Sequence, residues 1–539
     1  MRYRGLVLSI KGITGEKERW KSAGVDIPSY DIPAVREATK DSPKWLHFGA
    51  GNIFRGFIAG LADTLIEEGK LESGIVAAET FDGEIIEKIY EPYDNLTLSI
   101  GLKADGTSVK KVTAGIGDAI RLDQGDTNEL RRYMKMSSLQ MVSFTITEKG
   151  YAYMDLAGNT LGPVEMDIEA GPENARTAMG IVVSALNDRY NAGAFPISMV
   201  SMDNCSQNGR KLKNAVLFIA ERWFKRGFVE KGFIDYISDE TKVAFPWSMI
   251  DKITPRPDEK IAESLAGLGI EGMAPIVTGR KTFIAPFVNA EIPQYLVIED
   301  SFPNGRPPLE EAGVYMTDRD TVNNAERMKV MTCLNPLHTA LALSGCILGF
   351  NKISEEMRDE DLKKLVYKLG DEGMKVVTSP GIIEPEDFIK EVLEERLPNP
   401  ALPDTPQRIA TDTSQKMAIR FGETIHGYMS QGMEEDLKIV PFVIASWFRY
   451  LTGLDDEGRE MSLSPDPMTD VIRSALVGLE LGKDNDDMSG INWILTNIEL
   501  FGSNLMDIDS LGDKIKIYLK DMLKGPGAYR RTLHQLVNG

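Results

Sequence analysis

Residues 44–68, KWLHFGAGNIFRGFIAGLADTLIEE, decide the fold. Lys44–Phe48 is a short apolar run, read as a strand, that ends on Gly49-Ala50-Gly51. Beyond it Phe54, Phe57, Ile58, Leu61 and Leu65 recur at helical spacing, and Gly74–Ala78 (GIVAA) is a second short apolar strand. The pattern predicts strand, glycine turn, helix, strand, a β-α-β unit. A glycine turn at a strand end lets the backbone approach a pyrophosphate, and the helix N-terminus that follows favours its charge. A plain tight turn is the alternative, because Phe54 stands where the usual fingerprint has its third glycine. Glu79, ending the second strand, is the acid expected to hold the adenosine ribose hydroxyls, with Asp82 as a fallback. A carboxylate there favours NAD over NADP by repelling a 2′-phosphate.

Working outward, Leu139–Thr147 and Phe195–Met202 read as buried strands and Ala175–Ala192 as a helix. Strands alternating with helices imply a mostly parallel sheet, with functional groups gathered at strand C-termini. Pro303–Pro308 (PNGRPP) has the composition of a linker. After it, helical patterns dominate: Thr339–Phe350, Glu355–Leu369, Phe388–Glu395, Val440–Leu451, Met468–Leu479 and Leu511–Leu523. The expected organisation is an α/β dinucleotide-binding domain over residues 1–305, opened by a lead-in of residues 1–43, and a mainly α-helical substrate domain over 306–539.

The 539 residues carry 81 acidic and 61 basic side chains, a net charge of −20. That balance argues against non-specific nucleic-acid binding, which needs basic surface to displace counterions. Three cysteines without a CxxC pair make no disulfide framework and fit a reducing cytosol. The apolar run Gly5–Ile10 is too short for a signal peptide, and Thr339–Phe350 falls short of the roughly 20 residues that span a bilayer. The expectation is a cytoplasmic protein without a membrane segment. Only four histidines occur, with no HExxH or Cys/His cluster, so no metal is expected.

The second informative segment is KVMTCLNPLHTALALSG, residues 329–345, which sets Lys329, Asn335 and His338 in a K-x5-N-x2-H arrangement. Pro336 suits a first helical turn and Asn335 an N-cap, which would draw Asn335 and His338 together at a helix start. Simple capping and a core histidine are the plainer alternatives. Asp203-Asn204-Cys205 follows a buried strand, where polar groups face a cleft or form an Asx turn. Asp251 and Lys252 lie in a proline-bounded loop.

With these residues in view, the chain resembles the polyol-specific long-chain dehydrogenase (mannitol dehydrogenase) family from about residue 44 to about residue 450. The shared motifs are GxGxxxRG at Gly49–Gly56, ITEKGY at Ile146–Tyr151, SMDNCSQNG at Ser201–Gly209, SMIDKITP at Ser248–Pro255, KxxxxxNxxH at Lys329–His338, and Arg408 with Lys416 in RIATDTSQK. The resemblance implies a Rossmann-like domain and an NAD-dependent, metal-free reaction on a small sugar acid or polyol. It makes Lys329 the general acid/base, Asn204 and Asn335 the amides on the reacting oxygen, and His338 the substrate-orienting histidine. Arg408, Lys416 and Asp251 would contact substrate, and Glu326 would line a proton path. Gly49, Gly51, Asn52, Phe54, Arg55, Glu79, Thr147 and Glu148 would hold the cofactor.

Reducing a ketone needs hydride at carbon and a proton at oxygen, and a lysine can give that proton when burial and nearby cations lower its pKa. Arg420, Glu423 and His426 resemble the hexuronate branch of the family, and Arg408, Lys416 and Arg420 suit a substrate carboxylate. The expected reaction interconverts D-fructuronate and D-mannonate. Tagaturonate and mannitol–fructose are the alternatives within the family, and a catalytically inactive dinucleotide sensor is the alternative of another class.

Overall fold

The computed structural model describes residues 5–155 and 157–539. The chain divides into two compact units, the first running to Leu102 and from Thr107 to Asn323, the second holding Lys103–Gly106 and Asn324–Gly539.

In the first unit six parallel strands form one sheet: β1 (Trp45–Phe48), β2 (Ile75–Glu79), β3 (Ile116–Arg121), β4 (Met141–Phe144), β5 (Ile197–Ser201) and β6 (Val243–Ala244). Their order is β3-β2-β1-β4-β5-β6. This is the strand order of doubly wound dinucleotide-binding sheets, with the reversal between β1 and β4. Successive residues feed two cores: Leu46, Phe48, Val142 and Phe144 enter one, and Trp45, Ala50, Met141 and Val200 the other. The four central strands are buried at every residue and are mostly apolar, whereas β3 is partly exposed and carries Asp118 and Arg121. The expected α/β domain is therefore present.

The lead-in is more than a preface. Leu6–Val7 pairs with Ile270–Glu271, Val25–Asp26 pairs with Lys110–Lys111, and Ile32–Asp41 is a helix capped by Asp31. Its residues 1–4 lie outside the described residues. The stretch 303–308 is tied down within the first unit, where the Asn304 amide donates to the carbonyls of Ser137 and Leu139.

The second unit is helical, as expected. Its central helix, Asn335–Leu348, is buried nearly all round, and Ile439–Leu451 is buried at every residue. Such helices belong to an interior. The helical run Arg319–Leu348 is long and apolar enough to cross a membrane, yet 78% of its apolar window is buried inside the protein. Two predicted helices change form. Asp359 caps a new start, splitting Glu355–Leu369 into Ile353–Glu356 and Glu360–Met374. Met468–Leu479 shortens to Thr469–Ala475, because Val477 is 84% exposed and Gly478 turns at φ +97°.

The helix Ile439–Leu451 packs on Asn335–Leu348 and starts without a cap of its own. The buried Glu372 carboxylate fills that role, accepting the amides of Lys438, Ile439 and Val440 at 2.9, 3.0 and 2.8 Å. Removing it strands three amides, so Glu372→Ala should lower stability by about 2–3 kcal/mol in equilibrium denaturation. A loss below about 0.5 kcal/mol would show that water replaces the carboxylate.

Candidate active site

The first unit builds its site where the sheet reverses. Gly49 leaves β1 at φ +105°, and a Cβ on it would lie 2.3 Å from the Thr145 carbonyl oxygen beyond β4. Glycine is required twice, by the backbone angle and by the contact. Gly51 differs: a Cβ there would meet nothing within 4 Å. It faces open space at the start of a helix that runs from residue 52 through a π-helical turn, Phe54–Ile58, to Glu67. An unfilled cradle at a helix N-terminus fits a pyrophosphate.

Phe54 and Arg55, expected beside the cofactor, are placed in the core. Phe54 stacks on His47 with centroids 4.2 Å apart. His47 in turn bridges the hydroxyls of Ser143 and Thr145 at 2.6 and 2.8 Å, and burial pushes its pKa down to about 3. A flat imidazole accommodates the large ring where the usual fingerprint has glycine. Arg55, 1% exposed, donates to Thr97 Oγ1 and to the Ala285 carbonyl. Asn52 reaches the Phe283 carbonyl at 3.4 Å.

Glu79 stands at the end of β2, as expected, but much of its carboxylate is already used. It accepts the amides of Ala50, Phe81 and Asp82 at 2.8, 2.7 and 3.0 Å, and burial raises its pKa against those donors. Glu79 thus ties the glycine turn to β2 before any ribose is present. Asp82 is buried and accepts from the Thr278 hydroxyl. Phe81, between them, is 61% exposed under the Arg280 guanidinium.

Two braces went unrecognised in the sequence. Asp203, after β5, accepts the amides of Ile146 and Thr147 and the Tyr151 hydroxyl at 3.0, 2.9 and 2.6 Å. It thereby holds Thr147 at φ +65°, next to Glu148, which pairs with Lys211. Asn208, fully buried, spans the Asp203 carbonyl, the Ser248 carbonyl and the Ser248 amide at 3.1, 3.0 and 3.0 Å. Asn204 is adjacent to the first brace, and Asp251 ends the strand Ser248–Asp251. The signal is the density of Asp and Asn in SMDNCSQNG, where the sequence marks Asp203-Asn204-Cys205 as cleft-facing or an Asx turn and assigns a role to Asn204 alone.

In the second unit Lys329 is buried in a π-helical turn, Met328–Cys333, whose Leu334 amide bonds the Lys329 carbonyl at 3.1 Å. Single π turns inside helices recur at functional sites because they re-aim side chains. Glu326 lies half-buried in the preceding turn. Asn335 is not the N-cap: Leu334 holds that position, and no side chain caps the helix. The Asn335 side chain is therefore not committed to capping.

His338 brings the remaining residues together. Its Nε2 lies 3.5 Å from Asp404, which also pairs with Arg408. Burial, with Arg420, Arg408 and Arg396 nearby, outweighs Asp404 and lowers the His338 pKa to about 4. Arg420 donates to the hydroxyl of Thr339, which itself donates to the Asn335 carbonyl at 2.9 Å. Lys416 donates to the carbonyls of Ile409 and Thr411, and burial and Arg420 lower its pKa to about 8. Glu423 and His426 belong elsewhere: they line a recess with Arg327, where Glu423 pairs with that arginine and His426 bonds Ser503.

Residues 43–311 match the family model described as the mannitol dehydrogenase Rossmann domain, and residues 321–523 that of the mannitol dehydrogenase C-terminal domain. The chain is 52% identical over 528 residues to a D-mannonate oxidoreductase of Thermotoga maritima, covering 97% of each chain. Its fold is similar to that of a D-sorbitol dehydrogenase in substrate-free form, with a TM-score of 0.78 at 24% identity over 96% of this chain and 98% of that one. It is also similar to Pseudomonas fluorescens mannitol 2-dehydrogenase in a ternary complex with NAD and D-mannitol, with a TM-score of 0.71 at 24% identity over 99% of each.

The two turn glycines should separate folding from cofactor binding. Gly51→Val should leave the melting temperature within about 2 °C, since the side chain enters empty space. It should weaken NADH binding at least tenfold by fluorescence titration. Gly49→Ala should lower the melting temperature by several degrees. Unchanged NADH affinity in Gly51→Val would place the pyrophosphate elsewhere.

Proposed function

The chain belongs to the mannitol dehydrogenase family, and on that premise we propose that it reduces D-fructuronate to D-mannonate with NADH, and catalyses the reverse. The observation that carries the substrate assignment is Arg420. Its guanidinium is largely buried, its partner is a neutral threonine hydroxyl, and burial alone lowers its pKa to about 10. A buried cation without an anionic partner is costly, and a substrate carboxylate would supply one. Arg408 and Lys416 add positive charge to the same cluster around His338. A neutral hexitol would leave that charge unanswered. The relative that is 52% identical carries the name of the same sugar-acid reaction.

NADH supplies the hydride. The roles assigned to this chain are to orient the ketone, to stabilise charge on its oxygen and to deliver a proton there. Lys329 Nζ gives that proton, and Glu326 stands on its supply route. The Asn335 and Asn204 amides donate to the oxygen as it becomes an alkoxide, an arrangement worth about 10²–10³ in rate per donor. His338, neutral across the working pH range, directs a hydroxyl of the substrate. Asp251 contacts the substrate, and Gly49, Gly51, Asn52, Glu79, Thr147 and Glu148 hold the cofactor, with Phe54 and Arg55 acting through the backbone they anchor. The proposed residence is the cytoplasm, where the free cysteines Cys205, Cys333 and Cys346 stay reduced.

Three measurements test this reading. NADH oxidation followed with fructuronate, tagaturonate and fructose should favour fructuronate, and Arg420→Met should raise its KM at least tenfold while sparing any activity on fructose. Equal losses on charged and neutral substrates would remove the carboxylate role. Lys329→Ala should lower kcat by roughly 10²–10⁴ and leave the Kd for NADH unchanged. The KM for fructuronate should also rise as the pH passes about 8, because Lys416 is cationic below that value and neutral above it. Lys416→Arg, charged throughout, should abolish the rise; a rise that persists in this variant would assign it to another group.

A further inference from the structure

Asp404 is the residue of the His338 cluster for which the sequence offered no role. It is 6% exposed, and its backbone is fixed by the Ile353 amide, which donates to the Asp404 carbonyl at 3.0 Å. Its two carboxylate oxygens are divided: Oδ1 pairs with the Arg408 guanidinium, and Oδ2 lies 3.5 Å from His338 Nε2. His338 Nε2 is buried and makes no hydrogen bond among the described residues, so the Asp404 carboxylate is the charged group it faces. Its helix is anchored next door, where Arg420 and the Asn335 carbonyl share the Thr339 hydroxyl.

A neutral imidazole carries one proton, on one of two nitrogens, and the group facing each nitrogen selects which. A lone pair aimed at a carboxylate is repelled by it, whereas an N–H is attracted. We infer that Asp404 is a positioning residue that holds His338 as its Nε2–H tautomer and fixes the Arg408 guanidinium beside it, so that the imidazole meets a substrate hydroxyl through the Nδ1 lone pair. The inference rests on the reading of His338 and Arg408 as substrate-binding residues, and it deepens that reading by stating which hydrogen bond the histidine makes. The substrate hydroxyl donates and Nδ1 accepts. A ketone oxygen, which has no proton to donate, is not a partner for that nitrogen, so the histidine reads a hydroxyl and leaves the reacting oxygen to donors. The same carboxylate cancels part of the positive charge around His338, which keeps Arg408 from drifting away from it.

The test reads the tautomer directly. 15N NMR of the full-length, histidine-labelled protein has four histidine signals to resolve, and His338→Gln identifies the one in question. The expected wild-type result is a neutral His338 protonated at Nε2. In Asp404→Asn the amide can donate to Nε2, so the proton should move to Nδ1. KM for the sugar acid should then rise about ten- to a hundredfold, because the substrate hydroxyl would face an Nδ1–H donor and the hydrogen bond between them is lost, with NADH affinity unchanged and the melting temperature within a few degrees. Asp404→Glu, which keeps the charge, should recover part of the loss. An Nδ1–H tautomer in the wild type overturns the inference, and so does an Asp404→Asn enzyme with wild-type KM. Because the wild-type spectrum needs no turnover, an Nε2–H tautomer in a protein inactive on every sugar acid would overturn the proposed substrate and leave this assignment standing.

Discussion

The first unit depends on a contact that leaves no room for a side chain. Where the sheet reverses, the backbone leaving β1 at Gly49 passes the Thr145 carbonyl so closely that one Cβ would collide with it. The loops leaving the paired strands β1 and β4 part to opposite sides and open a crevice, and the amides at its rim need partners. The protein supplies them from acids that end other strands. Glu79 takes Ala50, Phe81 and Asp82, and Asp203 takes Ile146 and Thr147. Glu79 is buried and Asp203 half-buried; burial raises the pKa of both, held back at Glu79 by the amides it accepts and at Asp203 by the Tyr151 hydroxyl and two amides. Loops that a bare sheet would leave slack are thereby set before a cofactor arrives, and binding loses less to ordering them.

The second unit meets the opposite problem. It gathers Arg396, Arg408, Arg420 and Lys416 around one largely buried histidine. Like charges in a poorly solvated place repel, and the observed consequences are a histidine that stays neutral and a lysine that titrates near 8. Asp404 answers part of that charge. On the proposed reading a substrate carboxylate balances the remainder, which would favour a sugar acid over a hexitol. The π turn at Lys329 belongs to the same economy of position: one extra residue in a helix swings a buried ammonium to a new bearing without breaking the helix.

The architecture was legible because burial writes a period into sequence. Strands covered on both faces read as unbroken apolar runs, and the helix after Gly51 shows Phe54, Phe57, Ile58, Leu61 and Leu65 on one side. What stayed illegible shares one cause: a polar side chain looks the same whether it faces a ligand or a distant backbone. Phe54 and Arg55 sit in the motif yet turn inward to His47, Thr97 and Ala285, partners remote in sequence. Asp203, Asn208 and Asp404 act across loops whose closure no local pattern announces. Asn335 looked like a cap because Pro336 follows it, but the π turn moves the helix start back to Leu334. The strands Leu6–Val7 and Val25–Asp26 have two residues each, too few for any periodicity.

A net charge of −20 opposes the approach of an anionic substrate at long range, and the resolution lies in distance and dielectric. Surface carboxylates act through water and salt, which screen them over about 8 Å at physiological ionic strength. Arg420 is half-buried, and a close charge pair in a partly desolvated place outweighs many screened ones at long range. The acidic surface then serves solubility, while on the proposed reading the cations around His338 set what the site accepts. On that reading specificity is local: exchanging surface charge would alter encounter rates, and a change within the His338 cluster would alter which sugar is held.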